Sequence, residues 1–401
     1  MITPAVHAAI RNALPPLAPD INIPVVVAIV GGLLIAAAFL AFVAAHWTEF
    51  ARPLRFAILV AGIVGANGLG AWFARAGRSV LADLCSSVGS IIFGAGVALV
   101  GQMYHLGEDF AGGMLLWAGG ALATAALTNS RGALAVALTA GSVWSAMRVF
   151  DTHDIPHLPF VALWLIAAGL AVAWNSRTAA HFVALAALPW WVAAALQPDL
   201  SDVQPSFFLA DGAALLFGGG LALAATPWQR LHGAGAVLST YGALSLAGVA
   251  ILQVATTYDL FAIHAGIAGQ PSWAISCGVA GVIFALAAAA TTRRAGVAFA
   301  GIAIGLVLVA AATWTQRQAG EPWLGYAVEL CAMLCLVVSG MVDAARPRIV
   351  AGWLGIAGVI AAITWAVKGS LLHRSAFLAV AGAVAGALSM ALNRFLPRTN
   401  E

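Results

Sequence analysis

The chain has 401 residues, of which 62% are hydrophobic and 8% charged, with a net charge of +3. Soluble domains carry about 25% charged residues, so this composition excludes an ordinary soluble enzyme or nucleic-acid-binding protein. Apolar stretches of about 18 or more residues recur along the whole chain, and each is long enough to cross a bilayer. They are continuous rather than alternating, which excludes barrel strands. The sequence therefore predicts an all-α, polytopic transmembrane helix bundle.

The apolar segments predict about fourteen membrane-spanning helices, with twelve or thirteen left open because several segments are short. We place a short N-terminal segment at 1–22, a single transmembrane domain at 23–396 and a tail at 397–401. The predicted spans are 24–45, 54–74, 80–104, 112–128, 131–149, 158–174, 179–196, 206–225, 231–254, 272–291, 295–313, 323–343, 349–367 and 374–395.

The basic residues of the loops predict the orientation. With both termini in the cytoplasm, twelve of the 18 basic residues lie on the inner side and six on the outer side. Short cytoplasmic loops of membrane proteins carry an excess of Lys and Arg. We therefore expect both termini to be cytoplasmic, which places the polar end of the third helix outside.

The first predicted loop contains His46, Trp47 and Glu49. It lies on the same predicted side of the membrane as the end of the third helix. We expect these two edges to meet, so that His46 and Glu49 contribute to one polar site in the outer half of the membrane.

The third predicted helix ends in the densest polar cluster that touches an apolar run. This cluster contains Gln102, Tyr104, His105, Glu108 and Asp109. A histidine titrates near neutral pH, and the two acidic neighbours are expected to raise the pKa of His105. We expect Gln102 to point into the bundle. The cluster fits either a substrate or proton site or an interfacial helix cap followed by a solvated acidic turn.

These segments also carry a resemblance. The features are an Ala-Ala-His-Trp sequence ending at Trp47, a Gly-Gln-x-Tyr-His sequence beginning at Gly101, a short acidic loop, and a Leu-Leu-Trp sequence ending at Trp117. Over about residues 24–150 the chain resembles the bacterial membrane protein family called domain of unknown function 2157. The resemblance implies a multi-pass protein of the bacterial cytoplasmic (inner) membrane, similar in architecture to small-molecule carriers. It implies no particular activity. Trp117, eight residues after Asp109, is a further site candidate.

A second outer cluster lies in the loop after the fifth predicted helix. It contains Asp151, His153, Asp154 and His157. Imidazole and carboxylate groups bind divalent metal ions, but this spacing matches no zinc signature and Pro156 interrupts a helical presentation. A plain polar loop is the favoured interpretation. A divalent metal on the outer face is the one cofactor that the sequence suggests.

Two acidic residues fall inside predicted spans, Asp211 in the eighth and Glu329 in the twelfth. A charge at the centre of the hydrocarbon costs about 2.5–3.5 kcal/mol, so such residues usually face a cavity or a partner. Arg148, near an outer helix end, is a candidate partner. The alternative is that both acids reach the outer interface. Similar residues in the third and ninth helices also allow a parallel six-helix repeat.

No phosphate-binding loop, metalloprotease motif or hydrolase nucleophile motif is present. Glycine-rich helices with buried acids favour a transporter or flippase of a small molecule or lipid-like substrate over an enzyme. The alternatives are a structural or regulatory subunit of a membrane complex and an integral membrane enzyme acting at the outer surface. The expected partners are the lipid bilayer and either another membrane protein or a second copy of the chain. Nothing points to nucleic acid.

Overall fold

The computed structural model describes residues 23–45, 50–104, 109–152, 156–196, 205–256, 271–312 and 323–366. All secondary structure in these segments is α-helical. The thirteen described helices are α1 (Ile23–Ala45), α2 (Arg52–Arg75), α3 (Ser79–Tyr104), α4 (Phe110–Thr128), α5 (Arg131–Thr152), α6 (Leu158–Ala173), α7 (Arg177–Ala195), α8 (Pro205–Ala225), α9 (Gln229–Thr256), α10 (Ser272–Thr292), α11 (Ala295–Ala312), α12 (Trp323–Val342) and α13 (Arg346–Ala366).

The helices confirm the predicted polytopic bundle. Each of the first thirteen predicted spans overlaps one helix, and the boundaries differ by at most three residues. Eleven of the described helices, α2–α5 and α7–α13, are long and apolar enough to cross a membrane. Helix α6 has 16 residues and is shorter. The fourteenth predicted span, 374–395, lies outside the described residues.

Many large apolar side chains are exposed on the helices, among them Leu127 at 84% and Leu324 at 75% of the residue's surface. Soluble proteins rarely expose so much apolar surface to water. Lipid tails cover such side chains at no cost, so the helix surfaces fit a bilayer environment.

The chain divides into two compact units, Met1–Gly141 and Ser142–Glu401, and the division falls within α5. In the first unit α3 packs against α1, α2 and α4. In the second unit α8–α13 share one large apolar core, and α6 and α7 pack beside α9. The single transmembrane domain stays a prediction.

A carboxylate joins α3 to the start of α5 in the first unit. The Oδ1 atom of Asp83 accepts hydrogen bonds from the Ser130 hydroxyl at 2.5 Å and from the Gly132 amide at 3.1 Å. The Ser130 hydroxyl in turn accepts from the Ala133 amide at 3.0 Å. Amides in the first turn of a helix have no partner within the helix, so these contacts fix where α5 begins.

Helix α8 lies between α9 and α10 at backbone contact distance. A Cβ atom at Gly218 would overlap the backbone carbonyl of Gly281 on α10. A Cβ atom at Gly220 would overlap the backbone of Ser239 on α9. Small residues allow membrane helices to approach this closely, and the resulting packing is a main source of helix association in lipid.

Contacts between neighbouring helices also set the directions of α8–α13 in the second unit. Phe217 lies against Gly242 and Gly220 against Ser239, so α8 and α9 are antiparallel. Gly278 of α10 lies against Asp211 and Gly281 against Ala214, so α10 is parallel to α8. We call the end where α8, α10 and α12 begin the carboxylate end. The opposite end, where α9, α11 and α13 begin, is the arginine end.

We predict that Gly220→Val destabilises the protein strongly, whereas Gly219→Val does not. A valine at position 220 must displace the backbone of α9, and overpacking typically costs about 1–3 kcal/mol. At position 219 the nearest atom to a new Cβ is a ring carbon of Phe284 at 4.0 Å. Both substitutions have the same intrinsic helix cost, so the melting temperatures of the purified variants isolate the packing effect. Equal melting temperatures would contradict the close approach.

Candidate functional site

The polar cluster at the end of the third predicted helix lies only partly within the described residues. Helix α3 ends at Tyr104, which is half exposed. Gln102 is exposed and Met103 is buried, so the inward position belongs to Met103 and not to Gln102 as expected. Asp109 is the N-cap of α4, and its Oδ1 accepts a hydrogen bond from the Gly112 amide at 2.8 Å.

Several candidates of this region lie outside the described residues, namely His46, Trp47, Glu49, His105 and Glu108. The predicted meeting of the first loop with the end of α3 therefore stays a prediction. Trp117 of α4 has a structural contact, because its indole N–H donates a hydrogen bond to the Ser90 carbonyl on α3 at 2.9 Å. Its ring also covers Gly94, so Trp117 holds α4 against α3.

The loop between α5 and α6, for which the sequence favours a plain polar loop over a metal site, is described only at its two ends. Asp151 is exposed at the end of α5. His157 is buried, its Nδ1 atom lies 2.9 Å from the Ser145 hydroxyl, and its ring meets Trp144 edge-on at 4.6 Å between centroids. His153 and Asp154 lie outside the described residues. Within the described segments no three His, Cys, Asp or Glu side chains are grouped for a metal ion.

Asp211 is buried on α8, six residues from the start of that helix. Its carboxylate lies against Gly278 of α10, where a Cβ atom would overlap Oδ1. Leu308 of α11 lies 3.3 Å from the same Cβ position. Because position 278 has no side chain, the Asp211 carboxylate fits between α8, α10 and α11.

Glu329 and Gln253 are fully buried, each with 0% exposure, on α12 and α9. Gly355 of α13 faces both Met333 of α12 and Ala247 of α9, so those two residues lie at about the same height. Glu329 precedes Met333 by four residues on α12, and Gln253 follows Ala247 by six residues on α9. Because the two helices run in opposite directions, both steps lead toward the carboxylate end. At about 1.5 Å of rise per residue, their heights differ by only about 3 Å.

Asp211 and Tyr326 are buried in the same half of the core, toward the carboxylate end. Tyr326, one turn from Glu329 on α12, has only 3% of its surface exposed. The pairing of Phe217 with Gly242 places Asp211 about 8 Å in height from Gln253, by the same helical rise. Two carboxylates, a carboxamide and a phenol thus occupy the same half of one apolar core.

An aromatic cluster lies beside Asp211. The rings of Trp191 and Trp273 are 5.9 Å apart, those of Trp190 and Trp191 are 5.2 Å apart, and Phe208 lies 5.6 Å from Trp273. The Trp191 ring also covers Gly212, the neighbour of Asp211. These tryptophans therefore join α7, α8 and α10, in addition to any contact they make with lipid headgroups.

The arrangement suits an exchangeable proton or a bound cation. A carboxylate in an apolar core is expensive unless it holds a proton, pairs with a cation or accepts several hydrogen bonds. Buried ionisable residues in membrane helices therefore commonly mark ion paths and proton relays. Arg148, the predicted partner, is half-buried on α5.

Sequence reasoning found Asp211 and Glu329 but did not assign Tyr326 or Gln253 to the site. Only the pairing of α9 with α12 and α13 brings these side chains to the height of Glu329. From the sequence, Arg294 and Arg348 contributed only to the predicted topology. The structure shows that both line one cavity.

Comparison with known proteins concerns the first unit. Residues 1–134 match the model of the predicted membrane protein family DUF2157. The match confirms the resemblance over residues 24–134, also includes residues 1–23, and ends before residue 150. The DUF2157 region ends before the second unit, so Asp211, Gln253 and Glu329 lie beyond it. No curated protein and no solved structure matches the chain.

We predict that Gly278→Ala lowers the melting temperature because the new methyl group displaces the Asp211 carboxylate. The same change in an Asp211→Ala background should cost much less, since the overlapping group is absent. Contacting residues show such non-additivity, by about 0.5–3 kcal/mol.

Gly248→Ala is the matched control for this pair, because nothing lies within 4 Å of a Cβ atom at position 248. Additive melting-temperature changes for positions 211 and 278 would show that the carboxylate does not occupy the space beside Gly278.

Proposed function

We propose that the protein is a membrane carrier of a small molecule or lipid-like substrate that uses Asp211 and Glu329 to couple substrate movement to protons or cations. The burial of both acids in the same half of one helix bundle supports this proposal most strongly. Protonation or cation binding changes the free energy of such a group in an apolar core by several kcal/mol. A change of that size is sufficient to shift a bundle between two packing arrangements.

The packing around Asp211 supports the proposal further. Helix α8 meets α9 and α10 through glycines that bring the helix backbones into contact. Interfaces of small residues permit helices to slide by small amounts with little loss of packing, as hinge and shear motions require. A change in the charge of Asp211 would act directly on the contact with α10.

The first test is transport by the purified protein in vesicles. One arm follows transfer of a fluorescent phospholipid between leaflets by dithionite quenching. The other records currents on a solid-supported membrane with pools of sugars, amino acids and organic anions. We expect a protein-dependent signal in at least one arm, reduced at least tenfold by Asp211→Asn and by Glu329→Gln.

Asp151→Asn is the control, because it removes an exposed carboxylate outside the proposed site. Full rates in both buried-acid variants would separate the carboxylates from transport. A silent wild-type protein in both arms would overturn the carrier in favour of a structural or regulatory subunit.

The orientation is part of the same proposal. We propose that the chain lies in a bacterial cytoplasmic membrane with both termini and the arginine end inside. Impermeant thiol labelling of intact cells tests this with single cysteines placed by Gly107→Cys or Pro397→Cys in a chain whose four native cysteines are replaced by alanine. Labelling at 107 and not at 397 is expected, and the reverse pattern would overturn the orientation.

A further inference from the structure

A cavity of about 240 Å³ opens at the arginine end of the second unit. Its walls come from α8, α9, the α10–α11 turn, the start of α11 and the α12–α13 turn. The polar side chains that line it are His232, Ser239, Thr240, Thr292, Arg294 and Arg348. No carboxylate is among the lining residues, so the cavity carries a positive charge.

Arg348 is held in place by the α12–α13 turn. Its Nη1 atom donates to the Asp343 carboxylate at 2.7 Å and to the Ser339 hydroxyl at 3.2 Å. The side chains of Arg348 and Asp343 are only 13% and 6% exposed. Within the described residues Nε and Nη2 make no hydrogen bond, so one side of the fixed guanidinium remains available to a ligand.

Arg294 supplies a charge that, unlike that of Arg348, is not paired with a carboxylate among the described residues. It follows the end of α10, and its backbone amide donates to the Thr292 hydroxyl at 3.4 Å. Its guanidinium makes no ion pair in the part of the chain that the structure describes. His232 adds a ring in the first turn of α9, and Thr240 adds a hydroxyl two turns further along.

The remaining wall is apolar and made of small side chains, including Leu221, Ala224, Ala236 and Val297. The cavity lies where spanning helices are joined by turns of only two or three residues. This is the depth of lipid headgroups rather than of acyl chains. The volume is below the range of about 300–1,000 Å³ for drug-sized ligands, so it suits a headgroup or a small phosphorylated compound.

We propose that this cavity binds a phosphate group, carried by an anionic phospholipid headgroup or by a free phosphate compound. Planar guanidinium groups bind phosphate oxygens in a bidentate manner. Basic pockets between membrane helices on the cytoplasmic side are suited to anionic headgroups. The proposal uses none of the residues at the carboxylate end, and it shares with the proposed function only the orientation that places the arginine end on the cytoplasmic side.

The test titrates detergent-purified protein with dihexanoylphosphatidylglycerol or with inorganic phosphate and follows the melting temperature. A ligand that binds only the folded state raises this temperature in a saturable manner. Arg294→Gln should raise the half-saturating concentration at least tenfold. Arg293→Gln, which removes the same charge one residue away from the cavity, should change it less than twofold.

The two ligands distinguish the sources of the phosphate. Saturation by inorganic phosphate indicates a site for free phosphate compounds, whereas saturation by the phospholipid alone indicates a headgroup site. The proposal is overturned if neither ligand raises the melting temperature of the wild-type protein. It is also overturned if the Arg294 and Arg293 variants lose affinity equally, since that result shows only a general attraction to positive charge.

Discussion

The second unit depends on the backbone contact that α8 makes with its two neighbours. Gly218 meets α10 and Gly220 meets α9, so one helix turn holds three backbones together. Lipid tails are as apolar as the helix surfaces, and the hydrophobic effect therefore contributes little to helix association in a bilayer. Close packing must supply that free energy. The same turn fixes the position of Asp211, seven residues before Gly218, and of the cavity wall that begins at Leu221.

The six-helix core separates two kinds of polar chemistry. At the carboxylate end, Asp211 and Glu329 are buried with Gln253 and Tyr326 among apolar side chains. At the arginine end, the described acidic side chain Asp343 is bound by Arg348, and the cavity retains positive charge. Buried acids respond strongly to protons and cations because no water screens them. Arginines at the headgroup depth respond to anions in the membrane surface.

The two units also differ in what their polar residues do. The region that matches DUF2157 uses its described polar side chains mainly to join helices. Asp83 fixes the start of α5, Asp109 caps α4 and Trp117 binds the Ser90 carbonyl. Buried acids of the second unit are not explained by helix capping. The proposed carrier and phosphate sites both lie there, beyond the matched region, so the family match carries no information about either.

The sequence by itself determined the helices and their boundaries, because a continuous apolar run of bilayer length has one stable conformation in lipid. It also identified Asp211 and Glu329, since a charged residue inside such a run is conspicuous without any structure. It misplaced Gln102, because the apolar composition around α3 does not distinguish the inward face from the lipid-facing one. Tertiary structure decided which residues meet. Gln253 reaches the height of Glu329, and Arg294 shares a cavity with Arg348, only because glycine contacts set the helix register. Register depends on backbone approach at single positions, and helix-forming patterns in the sequence do not encode which glycine faces which neighbour.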